Sequence, residues 1–263
     1  PHSVSIPHQS GGPCLARTTD SNPGTPNPDH GPAQEALPTV TELRVRIRGI
    51  YATALTALLQ DPYQVVQATP PIRARFDATF PMAKHDVAID PTDDRLGVGL
   101  HGPTDAIDAL EADLVDVGID AFAWTDEAPL GAVFEAEVTE PLGSGAVVDL
   151  GPREGFLPYD AVDGYVDDGD RVTVQVHEPA PPWTDHRPEV GDRLQVDGGL
   201  ATLIRGLESP RADISDDERA AELVRSVDLL STAVPDGWGV RWERAAADAD
   251  LEALDDALAA AAE

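Results

Sequence analysis

The chain of 263 residues has a single cysteine, a single lysine and no long apolar run. A lone Cys14 excludes an intrachain disulfide framework and any multi-cysteine zinc site, and fits a reducing cytoplasm. No stretch approaches the length of about 20 apolar residues that a bilayer requires, so a transmembrane protein is excluded. There is no glycine-rich phosphate loop of the Walker type, and no Cys-His or Ser-His-Asp arrangement. The shortage of lysine is the sharpest of these absences. Of 18 basic residues 17 are arginine, Lys84 being the exception, against 48 acidic residues and a net charge of −30. Such a surface suits a cytoplasm at molar salt, where the Debye length falls to about 3 Å and self-repulsion is screened. The composition is that of an extreme halophile, and its acidity reports the solvent. It is not an argument against a nucleic-acid partner. With 41% apolar residues the chain can still build a core.

Residues 1–40 carry eight prolines, four glycines, four serines and no aromatic residue. They bury too little apolar surface to offset ordering entropy, so a disordered tail is expected, with His2, His8 and His30 solvated. The chain begins at Pro1 without a signal peptide's apolar core, which reads as a fragment or an upstream extension. From residue 41 the pattern becomes ordered. Leu43, Val45 and Ile47 alternate with Arg44, Arg46 and Arg48, the period of a strand with three arginines on one face. Helices are expected over 51–59 and 72–80, strands over 64–68, 87–89, 96–100 and 119–124. Between them Thr104 caps a helix whose apolar face is Ile107, Leu110, Leu114 and Val117. This is an α+β block over 41–128.

Residues 129–180 read as a small β-barrel of four strands separated by Gly and Pro turns, with no good helix. A proline-rich connector follows at 179–183, with Trp183 as a hinge plug, the alternative being an exposed stacking residue. The segment 181–263 returns to α+β. It holds a strand over 200–204 and a helix opened by Ser215 with Glu218 as a capping box, whose Ala220, Val224, Val227 and Leu230 face inward. Pro235-Asp236-Gly237 turns the chain into a strand over 240–242, and an alanine-rich helix runs from Leu251. That helix has no terminating signal, so the native polypeptide is expected to continue past Glu263. The acidic clusters Asp167, Asp168, Asp170 and Asp248, Asp250, Asp255, Asp256 read as solvated turns and helix faces, and no metal site is assigned.

The run from Leu142 through the glycine turn to Gly151, followed by Gly155-Phe156-Leu157-Pro158, resembles an S1-type OB domain, an RNA-binding barrel. The resemblance implies aromatic residues that stack on bases and polar groups that meet phosphates. Phe156 and Tyr159 are the stacking candidates; Arg153, Arg171 and His177 are the polar ones. The alternative is that Phe156 is core and Tyr159 a rim residue. Val147 stands where such domains often carry a second aromatic. The strand arginines Arg44, Arg46 and Arg48 are phosphate-contact candidates outside the barrel, or else pair with local aspartates.

Gly198 to Ile204, Ile214-Ser215 and Pro235 to Val240 are similar to the region after the S1-type insert in bacterial RNase E/G enzymes, the 5′-sensor region. With Arg46 to Thr56, the chain resembles the archaeal RNase E/G-like family that binds AU-rich RNA, here from a haloarchaeon. The bacterial enzymes hold a 5′-monophosphate with an adjacent Arg and Thr; Glu243 and Arg244 stand there. Glu243 has the wrong charge, so Arg241 and Arg244 become the 5′-phosphate candidates, the alternative being a solvated strand end with a Glu-Arg pair. The resemblance also implies Mg2+ held by two aspartates of a downstream subdomain. That subdomain falls past residue 263, so the catalytic residues are unknown.

The expected fold class is therefore α+β: a mixed N-terminal block, a central S1-type OB barrel and a segment like the RNase E/G 5′-sensor region. The expected function is cytoplasmic RNA binding and endoribonuclease action on AU-rich single-stranded or precursor ribosomal RNA, in rRNA maturation or turnover. The alternatives are a non-catalytic RNA-binding or ribosome-associated module, or a scaffold that has lost RNA binding.

Overall fold

The computed structural model describes residues 2–7, 43–117, 121 and 123–263. It consists of a six-stranded sheet with helices, a closed five-stranded barrel and a four-stranded sheet with helices. The α+β class is thus observed. The first sheet contains β1 (His2–Pro7), β2 (Arg44–Ile47), β3 (Gln64–Val66), β4 (Val87–Pro91), β5 (Gly97–Gly102) and β6 (Trp124–Thr125). Their order is β3-β2-β4-β5-β1-β6. β2 is parallel to both β3 and β4, and the remaining pairs are antiparallel. Residues 2–7, expected to be disordered on composition, pair with β5 and β6. Backbone hydrogen bonding to existing strands lets a segment join a sheet without an apolar stretch of its own. The rest of the expected tail lies outside the described residues.

One face of this sheet is covered by α1 (Ala52–Leu59), α2 (Pro70–Phe76) and α3 (Thr104–Val117). Val45 and Ile47 point into this core with Leu59, Ile89, Leu100, Ile107 and Leu110. Full burial of each such side chain is worth about 1.5–3 kcal/mol. α2 starts at the double proline and ends at Asp77, which takes a left-handed conformation. It is shorter than the 72–80 expected, because proline suits the first helical turn and a left-handed residue terminates the next. Leu114 closes the buried face of α3, while Val117 is exposed. The strand expected over 119–124 lies partly outside the described residues, and β6 begins only at Trp124.

The barrel is made of β7 (Val133–Pro141), β8 (Gly145–Asp149), β9 (Glu154–Pro158), β10 (Arg171–Glu178) and β11 (Glu189–Gly191), closed in the order β10-β11-β9-β8-β7. The sequence leads one to expect four strands. The fifth follows the proline connector and pairs parallel to β9 at a single register point, Glu189 with Phe156. Three residues are too few to show a period-two pattern. Ala136, Val138, Ala146, Val148, Leu157, Val174 and Val190 fill the interior.

The third unit has β12 (Gln195–Asp197), β13 (Ala201–Arg205), β14 (Arg211–Ala212), α4 (Asp217–Ser226), β15 (Trp238–Trp242) and α5 (Leu251–Ala262), with sheet order β12-β13-β15-β14. Trp242 is fully buried between this sheet and its helices. The backbone of Gly198 lies against α5, where a Cβ would collide with the Ala257 carbonyl. The cap of α4 is Asp216, whose carboxylate accepts from the Glu218 and Arg219 amides at 3.1 Å each; Ser215 lies one residue too early. The buried face of α4 centres on Leu223 and Ser226, with Val224, Val227 and Leu230 half-buried beside it.

Candidate nucleic-acid interface

On β9, Gly155 and Leu157 face the barrel interior, so Phe156 faces outward. Its ring lies over Gly145, where an added Cβ would sit 2.7 Å from the Phe156 Cζ. Val147 is its cross-strand partner and is buried. Phe156 also lines a cavity of about 560 Å3 with Asp93, Glu178, Asp185, His186 and Arg187. Arg187 is paired with Glu154 at 2.8 Å, so the wall beside Phe156 is acidic. Glu178 carries the clearest mark of this. A hydrogen bond with Asp93, burial and the Asp93 and Glu189 charges push its carboxyl up to about 7.

The other barrel candidates do not gather around Phe156. Tyr159 is half-buried against the barrel core from a 3-10 turn at Tyr159–Ala161. Arg153 donates to the Ala180 carbonyl at 2.7 Å and lies 3.7 Å from Asp126. Asp126 is buried and held above the usual carboxylate range by desolvation, so a guanidinium beside it serves the fold. Arg171 stands at the start of β10, exposed, 3.4 Å from Glu137 on β7. The His177 ring packs over Gly191, and its Nε2 lies 3.0 Å from the Arg193 carbonyl. Trp183 donates its indole N–H to Asp94 at 2.7 Å, fixing the proline connector to the β4–β5 turn.

The strand arginines do share one face of β2, opposite Val45 and Ile47. That face abuts the third unit instead of opening onto solvent. Gln67, next to β3, donates its side-chain amide to the Gly199 carbonyl at 3.2 Å, and His85 lies 3.8 Å from Asp197. Arg44 is 3.4 Å from Asp86, and Arg46 is 2.8 Å from Asp90. Arg48 meets backbone only, donating to the Ile47 and Gln67 carbonyls at 3.2 and 2.8 Å. Burial foremost, then the Arg46 charge, lower its pKa to about 10; Asp90 opposes this and Arg244 adds to it. His85 is pulled down to about 3, mainly by burial and then by Arg46. It is neutral near pH 7, so its approach to Asp197 is not an ion pair there. Burial also lowers His101, with Asp90 opposing.

Of the 5′-phosphate candidates, Arg241 is bound to Glu243 through Nε and Nη2 at 3.2 and 3.1 Å. The same Glu243 oxygen accepts from Thr202 at 2.6 Å. Arg244 is exposed, with no hydrogen bond or ion pair among the described residues. Among the described residues no three His, Cys, Asp or Glu side chains converge. The acidic clusters serve turns and caps: Asp170 accepts from the Asp167 amide, Asp250 caps α5, and Asp248 pairs with Arg73 at 2.7 Å.

No helix among the described residues is long and apolar enough to cross a membrane. No protein-family model matches the chain. The chain is 52% identical over 221 residues to "Probable ribonuclease FAU-1" of Natronomonas pharaonis, covering 82% of this chain and 46% of that protein. Proteins of the same name from Haloquadratum walsbyi and Thermococcus kodakarensis are 42% and 32% identical, over 82% and 84% of this chain and 48% and 46% of theirs. The chain is thus homologous, over most of its length, to archaeal proteins named probable ribonuclease FAU-1, and it spans about half the length of those relatives.

Proposed function

We propose that this chain is an RNA-binding portion of an endoribonuclease acting on AU-rich single-stranded or precursor ribosomal RNA in a halophilic archaeal cytoplasm. The observation that carries the reading is homology at up to 52% identity to proteins named as ribonucleases. The closed barrel supports it, with an aromatic ring turned outward from β9. In this reading the barrel is an S1-type OB domain and the third unit corresponds to the RNase E/G 5′-sensor region. Bases stack on Phe156, and the phosphate backbone runs toward the arginines of β2 and Arg244. The acidic wall of the Phe156 cavity is tolerated because molar salt screens it within a few ångströms, about 3 Å at 1 M.

The rival reading is a non-catalytic RNA-binding module, which the closed barrel with its outward ring supports without any catalytic step. Both are tested by incubating unstructured AU-rich RNA with this chain and with its full-length Natronomonas relative, in molar KCl with and without magnesium. The nuclease reading expects binding by both and magnesium-dependent cleavage by the full-length protein. Binding without cleavage by that protein leaves the rival, and no binding at any salt removes both.

A further inference from the structure

Phe156 belongs to a row of residues that crosses four strands of the barrel. Val147 on β8 is its antiparallel partner and Glu189 on β11 its parallel one, and Glu189 is in turn paired with Glu178 on β10. Residues paired across a sheet share a face, so both carboxylates stand on the outward side with the ring. With strands about 4.8 Å apart, Glu189 is one strand away from Phe156 and Glu178 two. The alternation of β10 alone would not put Glu178 there. Val174 and Val176 point into the barrel, and unbroken alternation would send Glu178 inward after them. The register shifts between Val176 and Glu178, leaving one extra residue opposite β11. Such a bulge re-aims a side chain, and here it turns a carboxylate out beside the aromatic ring.

The ring itself leans the other way, toward β8 and over Gly145. The space left between ring and carboxylates is the cavity of about 560 Å3, within the ~300–1,000 Å3 typical of small-ligand sites. Asp93 closes it from the first unit. The β4–β5 turn that carries Asp93 is held where Thr92 and Trp183 donate to Asp94 at 2.6 and 2.7 Å. Arg187 on the wall is taken by Glu154 at 2.8 Å, and Glu178 shares a hydrogen bond with Asp93. The Glu189 and Asp185 side chains enter no hydrogen bond or ion pair among the described residues. An aromatic face beside surplus acceptors sorts the parts of an RNA strand. Carboxylates repel a phosphate and accept from N–H groups. Adenine, cytosine and guanine carry an exocyclic amino donor, whereas uracil presents carbonyl oxygens in its place, and acceptor opposes acceptor.

We propose that the cavity beside Phe156 receives one amino-bearing base, adenine in an AU-rich strand, with Glu189 accepting from its amino group, so that uracil is disfavoured at that position. This rests on the RNA-binding reading above and adds a base preference to it. Glu178, turned out by the bulge, is the second acceptor, and Asp93 is the positioning residue that holds it.

The test compares affinities in molar KCl for one unstructured AU-rich oligonucleotide and for the same strand with every adenine replaced by unsubstituted purine, which keeps the ring system and lacks the amino group. The parent is expected to bind the adenine strand about tenfold more tightly. Glu189→Leu should bring that ratio to about one, since the acceptor is gone. Its lost charge raises affinity for both strands alike and cancels in the ratio. Glu189→Gln keeps one acceptor oxygen and should retain part of the preference. Phe156→Ala should weaken binding of both strands and abolish the ratio, because the base is no longer held over the cavity. Asp228→Asn, an exposed carboxylate in the turn after α4, is the control and should keep the parent ratio. Circular dichroism shows which variants are folded. A parent ratio below about twofold, or a full ratio in folded Glu189→Leu or Phe156→Ala, overturns the base preference and leaves RNA binding standing. A parent that binds neither strand overturns the RNA reading, and the preference with it.

Discussion

The side-chain amide of Gln67 donates to the Gly199 carbonyl at 3.2 Å, joining residues 132 positions apart. The same nitrogen donates to the Ala83 carbonyl at 2.9 Å and lies 3.5 Å from His85 Nδ1. Gln67 is buried and holds φ at 53°, a left-handed conformation that a side chain other than glycine's adopts at a cost. The neighbouring structure overdetermines it: the backbone turns there so that one amide spans two units.

Removing that amide strands the buried Gly199 carbonyl and the partly buried Ala83 carbonyl. Gln67→Ala is expected to destabilise the chain by about 2 kcal/mol or more. Gln67→Gly, which also relieves the backbone, should cost less than Gln67→Ala. Denaturant unfolding in molar KCl measures both, and a Gln67→Ala change below about 0.5 kcal/mol would show that the junction does not depend on this residue.

His85 predicts an acid sensitivity. The unfolded chain takes up this proton near pH 6.5, whereas the folded chain holds it off until about pH 3. The unfolded state binds more protons across that window, so this group's contribution to stability falls as pH drops through it. The stability gap between the parent and His85→Gln should therefore shrink between pH 6.5 and pH 3 and stay constant above pH 7. A gap independent of pH in melts across that range would contradict a buried neutral imidazole.

Glu178 has the opposite sign. Its folded value is raised to about 7 from an ordinary 4.5, so its favourable contribution is complete below pH 4.5 and is lost as pH rises through about 7. Glu178→Gln should leave stability near pH 5 almost unchanged and raise it above pH 7.5, and so should Asp93→Asn. Thermal melts from pH 5 to 8.5 check this, and a parent more stable than Glu178→Gln at pH 8 refutes it.

Phe156→Ala tests the outward ring of the barrel. Stacking is worth about 1–3 kcal/mol per base, which corresponds to an affinity loss of about fivefold to 150-fold for AU-rich RNA, while Phe156→Trp should preserve binding. Tyr159→Ala is less informative, since Tyr159 packs against the barrel core and its loss also lowers stability. Fluorescence anisotropy at molar salt reads the affinity, and an unchanged value for a folded Phe156→Ala removes the stacking face.

Much of the scaffold was legible in the residues. Period two in Leu43 to Arg48 identified a strand and placed its three arginines on one side, and the spacing of Ile107, Leu110 and Leu114 marked the buried face of α3. The errors fell where the signal is short or local. β11 has three residues, too few for periodicity, and the cap of α4 moved by one residue because Asp216 offers the carboxylate at the position where free amides point. For the candidate site, Phe156 was readable as a residue beside a glycine turn. The spread of Arg153, Arg171 and His177 around different parts of the barrel was not, since their strands become neighbours only on closure.

Sequence by itself determined the local items: an acid-rich, lysine-poor surface, the alternation of β2, the glycine turns of the barrel and the order of the three units. These depend on composition and on contacts a few residues apart. Only the tertiary structure decided which cations were left without partners. Asp86 and Asp90 reach Arg44 and Arg46 because β4 lies beside β2, whereas Arg48, one step further along the strand, meets carbonyls. That outcome comes from the pairing of strands and the docking of two units, and no pattern of neighbouring residues encodes it.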